Sequence, residues 1–260
     1  MVSISMFAAI IAAFIIAVGV PVMLLIVCRK KWAISIKVVL FGMLTFVVFA
    51  FILESTVHSI VLVMYKPTKE FFSNPWMFML YGGLMAGLFE ETGRWLAMKY
   101  VLKPFRRWKD GLAFGIGHGG IEAILLVGIN SITMLVFAVM INSGSFDALL
   151  SNPAASEALQ QVHTQLTRES PVAALVGGVE RLSAFAIHIA LSILVMLAVR
   201  RGRIKYLLYA ILIHALFDFP AALYQKGVLS NLYAVEAILL LFGAGSVFWI
   251  IKSRKMFQEE

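Results

Sequence analysis

Seven long apolar runs, each closed by a polar or basic cluster, set the pattern of this chain. They cover about residues 5–27, 36–65, 75–101, 111–141, 172–199, 204–224 and 229–251. Each reaches or exceeds the roughly 20 residues that a helix needs to cross about 30 Å of hydrocarbon. The pattern predicts an all-α polytopic transmembrane helix bundle of about seven spans, forming one integral membrane domain over residues 1–260. The first run is too long for a signal-peptide core and has no basic segment before it, so it reads as a retained helix. Pro21 is expected to kink it. Lys66, Pro67, Thr68 and Lys69 read as a short turn, and Trp76 as an interface anchor. Residues 142–170 form a polar outer loop holding Asn152 and Pro153, and within it residues 155–167 read as a short surface helix.

Composition sharpens this picture. Hydrophobic residues make up 61% of the chain, well above the roughly half expected of a soluble domain. Lys and Arg number 22 against 14 Asp and Glu. Sixteen of those cations lie after the first, third, fifth and seventh runs; the other side holds only Lys66, Lys69, Arg168 and Lys226. The positive-inside rule then puts the N-terminus outside and the C-terminus in the cytoplasm of a bacterial cell membrane. The basic excess is read as loops facing an anionic leaflet, with the lipid bilayer as partner and no nucleic acid. Cys28 is the only cysteine, which excludes an intramolecular disulfide and a multi-cysteine metal site. There is no repeat, phosphate-binding glycine loop or low-complexity tract.

The informative residues are the polar ones inside the apolar runs, where charge is costly. Counting 1.5 Å per residue from the basic loops puts Glu90, His118 and His214 roughly 12–14 Å deep, and Glu122, His188 and Asp218 roughly 18–20 Å deep. Four runs thus place carboxylates and imidazoles in one slab. Glu90 and Arg94, His118 and Glu122, and His214 and Asp218 are each four apart, so each pair shares a helix face. Arg181 and His188, seven apart, are nearly eclipsed. Glycines around His118 (Gly115, Gly117, Gly119, Gly120) permit close approach of another helix or a substrate backbone. Glu54 and His58 are also four apart, but lie toward the outer end of the second run and read as a satisfied polar pair or a feature of the site's mouth. Glu236 reads as hydrogen-bonded structure and His163 as solvated.

Several chemistries fit such a pocket. Two carboxylates held in different states by burial and Arg94 can supply a general base for water attacking a peptide carbonyl. His214 with Asp218 can steady the oxyanion. Alternatively His118, His188 and His214 can hold zinc, which would activate the water. No HExxH pair is present. No GxSxG motif supplies a nucleophile, Cys28 lies away from the slab, and Ser183 and Ser192 are expected to bond back to their own helix.

At this point the chain resembles a known group. Glu90-Glu91-Thr92-Gly93-Arg94 is similar to the EExxR/K motif of glutamate-dependent intramembrane peptidases. Phe114 through His118 resembles their FxxxH element, His188 a further lone histidine, and His214 through Asp218 the HxxxD/N element. The match is closest to the YhfC-like membrane peptidases, relatives of PrsW and of the CAAX-protease and bacteriocin-processing group. The resemblance implies a seven- or eight-helix peptidase with its site inside the membrane and a membrane-anchored polypeptide as substrate. It further implies that Glu90 and His118 activate water, Glu91 pairs with Arg94, and His214 with Asp218 forms an oxyanion site. The CAAX group places its arginine one residue further on and more often ends its last motif in asparagine, where this chain has Asp218. Glu122 and His188 are additional. The competing expectations are a non-catalytic scaffold that binds a helix or peptide, and a proton- or cation-coupled transporter.

Overall fold

The computed structural model describes residues 1–150 and 156–258. Among these it is helical, with no strand. Six helices are long and apolar enough to cross a membrane: Ile4–Trp32, Ile36–Met64, Trp108–Ser143, Pro171–Arg201, Lys205–Gln225 and Leu232–Phe257. They are spans one, two, four, five, six and seven. Span three, Pro75–Leu96, continues through a turn over Ala97–Val101. It has the length, but Glu90, Glu91 and Arg94 dilute its apolarity. The fold is therefore all-helical and polytopic, with about seven spans.

The sequence pattern located the spans to within a few residues, and local chemistry accounts for the differences. Span one stays helical through Pro21; its hydrogen-bond ladder slips to i→i+5 over Ile15–Gly19, just ahead of the proline. Such a turn accommodates the missing amide donor. The segment expected as a turn is a short helix, Lys66–Phe71. Pro67 sits in its first turn, where no donor is needed, and the Thr68 hydroxyl donates to the Val61 and Tyr65 carbonyls. The surface helix spans Ser156–Arg168. Asn152, Pro153 and Ala155 lie outside the described residues.

The chain divides into two compact units, 1–22 with 123–182 and 23–122 with 183–260. In the first, Val2, Met6, Ile10, Ala138 and Leu166 form a buried core. Asn142 closes it, accepting from the Val2 amide at 2.7 Å and donating to the Val2 carbonyl at 3.2 Å. Gly144, at φ 78°, ends span four in the left-handed conformation that favours glycine. His163 is half-buried against Phe146, with ring centroids 5.9 Å apart, rather than solvated. The hydrophobic face of Ser156–Arg168, anchored by Leu166, carries it there.

The second unit is packed backbone to backbone. A Cβ on Gly117 would lie 2.0 Å from the Val39 carbonyl oxygen, and one on Gly115 would lie 2.5 Å from the Ile189 Cα. Gly87 stands in the same relation to the Ile211 carbonyl, at 2.6 Å. Span four is thus wedged between spans two and five, and span three lies directly on span six. Only residues without a side chain allow this approach.

Candidate functional site

Those contacts bring four helices of the second unit to one point. Span three contributes Glu90, Glu91 and Arg94; span four His118 and Glu122; span five His188; span six His214 and Asp218. All except Asp218 are buried.

Glu90 is the hub. Its Oε2 is 2.7 Å from His118 Nε2 and accepts from Arg94 Nη2 at 3.1 Å. The same oxygen is 3.7 Å from His188 Nδ1, and Oε1 is 4.0 Å from His214 Nε2. Arg94, with no exposed surface, also donates to Glu91, its Nη1 lying 3.0 Å from Oε1 and 3.3 Å from Oε2. One guanidinium therefore serves both carboxylates. This is possible because i+3 and i+4 positions both lie on the arginine's face. A planar fork of five donors suits that task.

The histidines are held in different ways. His214 Nδ1 is 2.8 Å from Glu91 Oε1, and Nε2 lies 3.5 Å from Asp218 Oδ2. His188 Nε2 meets Glu122, while its Nδ1 lies 2.6 Å from Arg94 Nη2. His118 spends Nε2 on Glu90 and has no partner for its buried Nδ1. Its ring sits edge-on to Phe46 at 5.3 Å. Phe46 is a wall residue that the sequence did not single out. It is one of 20 phenylalanines and carries no charge to mark it.

A buried set of donor atoms converges here. Among the described residues, Glu90, His118 and His188 each offer a ligand atom within 4.8 Å of the others. The trio expected from the sequence was His118, His188 and His214; His214 is instead turned toward Glu91 and Asp218. Two imidazole nitrogens and a carboxylate oxygen suit zinc. The Glu122 contact on His188 is the kind of outer partner that orients a ligating histidine.

Other polar residues within the spans make contacts of their own. His58 bonds Glu54 through Nε2 and Tyr81 through Nδ1, each at 3.0 Å, so the histidine is satisfied, whereas Glu54 keeps a buried Oε2 with no hydrogen-bond partner. Arg181 forms an ion pair with its neighbour Glu180. Ser192, expected to bond its own helix, keeps a buried hydroxyl with no partner. Cys28 is buried and free.

Residues 15–239 match the family model described as YhfC intramembrane metalloprotease. The chain is also 47% identical over 243 residues to "Uncharacterized membrane protein YhfC" of Bacillus subtilis (strain 168), covering 94% of each chain. No solved structure matches. A match over most of the chain, with every cluster residue inside it, places this membrane protein: it belongs to the YhfC intramembrane metalloprotease family.

Proposed function

We propose that the protein is an intramembrane endopeptidase that hydrolyses a peptide bond of a membrane-associated polypeptide. The observation that carries this reading is the convergence of His118, Arg94, His188 and His214 on the Glu90 carboxylate from four separate helices. Charge at membrane depth is costly enough that a network of this size implies use. The family description supports the reaction class.

Glu90 and His118 share one short contact, so a proton taken from attacking water can pass between them and return to the leaving amine. Arg94 donates to both Glu90 and Glu91 and so limits the repulsion between the adjacent carboxylates. Glu91 fixes His214 by accepting from Nδ1. The Nε2 of His214 faces Glu90 and Asp218, and a proton there would let it donate to a developing oxyanion. Asp218 acts through this histidine, because an ionised aspartate cannot donate. Glu122 orients His188. In the alternative, metal-assisted form, Glu90, His118 and His188 are the residues that would hold the metal instead of relaying the proton. When bound, zinc supplies a water of lowered pKa and polarises the carbonyl. In this reading the basic loops face the cytoplasm of a bacterial cell, and the cleaved bond lies in that half of the bilayer.

The test compares cells producing the wild type with cells producing Glu90→Gln or His118→Ala. New membrane-protein N-termini, mapped by mass spectrometry, are expected only with the wild type. Fragments that persist unchanged in both variants would remove the assignment. Separately, zinc content of the purified wild-type protein is expected at about one per chain and is expected to fall in His118→Ala and His188→Ala. Equal zinc in all three would remove His118 and His188 as ligands, and a wild type purified without zinc that still cleaves would leave a glutamate-only mechanism.

A further inference from the structure

Outside the catalytic cluster, spans five, six and seven of the second unit enclose a groove of about 750 Å³. Leu191, Leu194, Tyr206, Ile213, Phe242 and Trp249 are among the residues that line it. Its wall is largely apolar: the Ser246 hydroxyl is already donated to the Phe242 carbonyl at 2.8 Å, and the other polar side-chain atoms there belong to Tyr206, Tyr209 and Trp249. An extended peptide backbone lying there would leave its amides and carbonyls unsatisfied, which is costly where no water reaches. A hydrocarbon chain meets no such cost. The dimensions agree. From Leu241 to Trp249 the wall extends about 12 Å at 1.5 Å per residue, close to one leaflet of a hydrocarbon core about 30 Å thick.

One end of the groove is charged. Arg203, Lys205, Lys252 and Arg254 are exposed at the ends of the same three helices. Lys205 Nζ lies 5.5 Å from the ring of Tyr206, a wall residue. Arg201 Nη2 donates to the carbonyl of Met256, another lining residue, at 3.0 Å and fixes the rim. Tyrosine and tryptophan at that end match side chains that settle at headgroup level. We infer that this groove holds one acyl chain of an anionic phospholipid, whose phosphate rests on the cations around Arg203 and Lys205. The attraction is the one that draws juxtamembrane basic clusters to acidic lipids.

The test is native mass spectrometry of the full-length protein in detergent, offered phosphatidylglycerol or phosphatidylcholine with the same chains. The wild type is expected to retain one phosphatidylglycerol in preference to phosphatidylcholine. Arg203→Gln and Lys205→Gln are each expected to lower that preference roughly fivefold. A Cβ on Gly245 meets nothing within 4 Å, so Gly245→Phe is expected to fill the groove and abolish retention without lowering Tm, whereas Gly245→Ala keeps the lipid. Equal retention of the two lipids by the wild type would overturn the inference. So would undiminished retention in Gly245→Phe, or a polypeptide crosslinked from position 245. If Gly245→Phe fails to fold, the two charge variants decide the matter.

Discussion

Two Glu–His pairs with the same four-residue spacing sit in the second unit, and only one has gathered a network. Glu54 and His58, on span two, close on each other and on the Tyr81 hydroxyl. The His58 side chain is 29% exposed, and among the described residues no arginine pairs with either. His118 and Glu122, on span four, do not close on each other. Each reaches a different helix, His118 to Glu90 and Glu122 to His188, and a fully buried arginine completes the circuit. Spacing makes a pair possible. Whether the pair satisfies itself or turns outward depends on which neighbours the packing presents. A pair closed on itself is spent on its own contact; an outward-facing one leaves its groups available for chemistry.

This contrast predicts a graded set of outcomes. Glu90→Gln is expected to reduce cleavage by about 10²–10⁴-fold, the range for loss of a general base, whereas Glu54→Gln should stay within about tenfold; comparable losses in both would erase the distinction. Next in size is Arg94→Leu, which strands two buried carboxylates and should destabilise the protein by about 3–5 kcal/mol. Arg94→Lys should restore part of this loss, because lysine keeps the charge but lacks the fork. Thermal unfolding in detergent measures both, and equal Tm values for wild type and Arg94→Leu would argue against a shared clamp. Gly117→Leu forces a side chain onto the Val39 carbonyl and should cost about 1–3 kcal/mol, enough to move His118 off Glu90. Smallest is Tyr81→Phe, which removes one hydrogen bond worth about 0.6 kcal/mol in such proteins. A drop in Tm as large as that of Arg94→Leu would make the outer pair the structural equal of the inner one.

Much of this was legible beforehand, for physical reasons. Spans two and three were bounded to within a residue, because apolarity ends abruptly at Lys66 and at the turn before Pro75. The cluster residues stood out because ionisable groups are costly at that depth. The depth count could not give rotation about each helix axis. It therefore left open whether Arg94 served Glu90 or Glu91, and the geometry gives it both. It also proposed His214 as a metal ligand, where the closer donor is the Glu90 oxygen. His163 read as solvated because a loop position reveals nothing of the face its short helix presents to Phe146. Phe46 carried no signal, since an aromatic wall looks like any other apolar stretch.

Span three is the least apolar of the seven, and its fit against span six has a consequence for synthesis. Glu90, Glu91 and Arg94 leave the ribosome long before His214 exists. About 120 residues separate them, or roughly 6–24 s at 5–20 residues per second. Throughout that interval the helix carries two acids and one base into a bilayer, with its last partner still untranslated. The glycines at 83 and 87, which later seat it on Ala215 and Ile211, are bare until then. The third span is thus the step at which membrane insertion depends on the translocation machinery or an early neighbour, and at which nascent chains are most exposed to quality-control proteolysis.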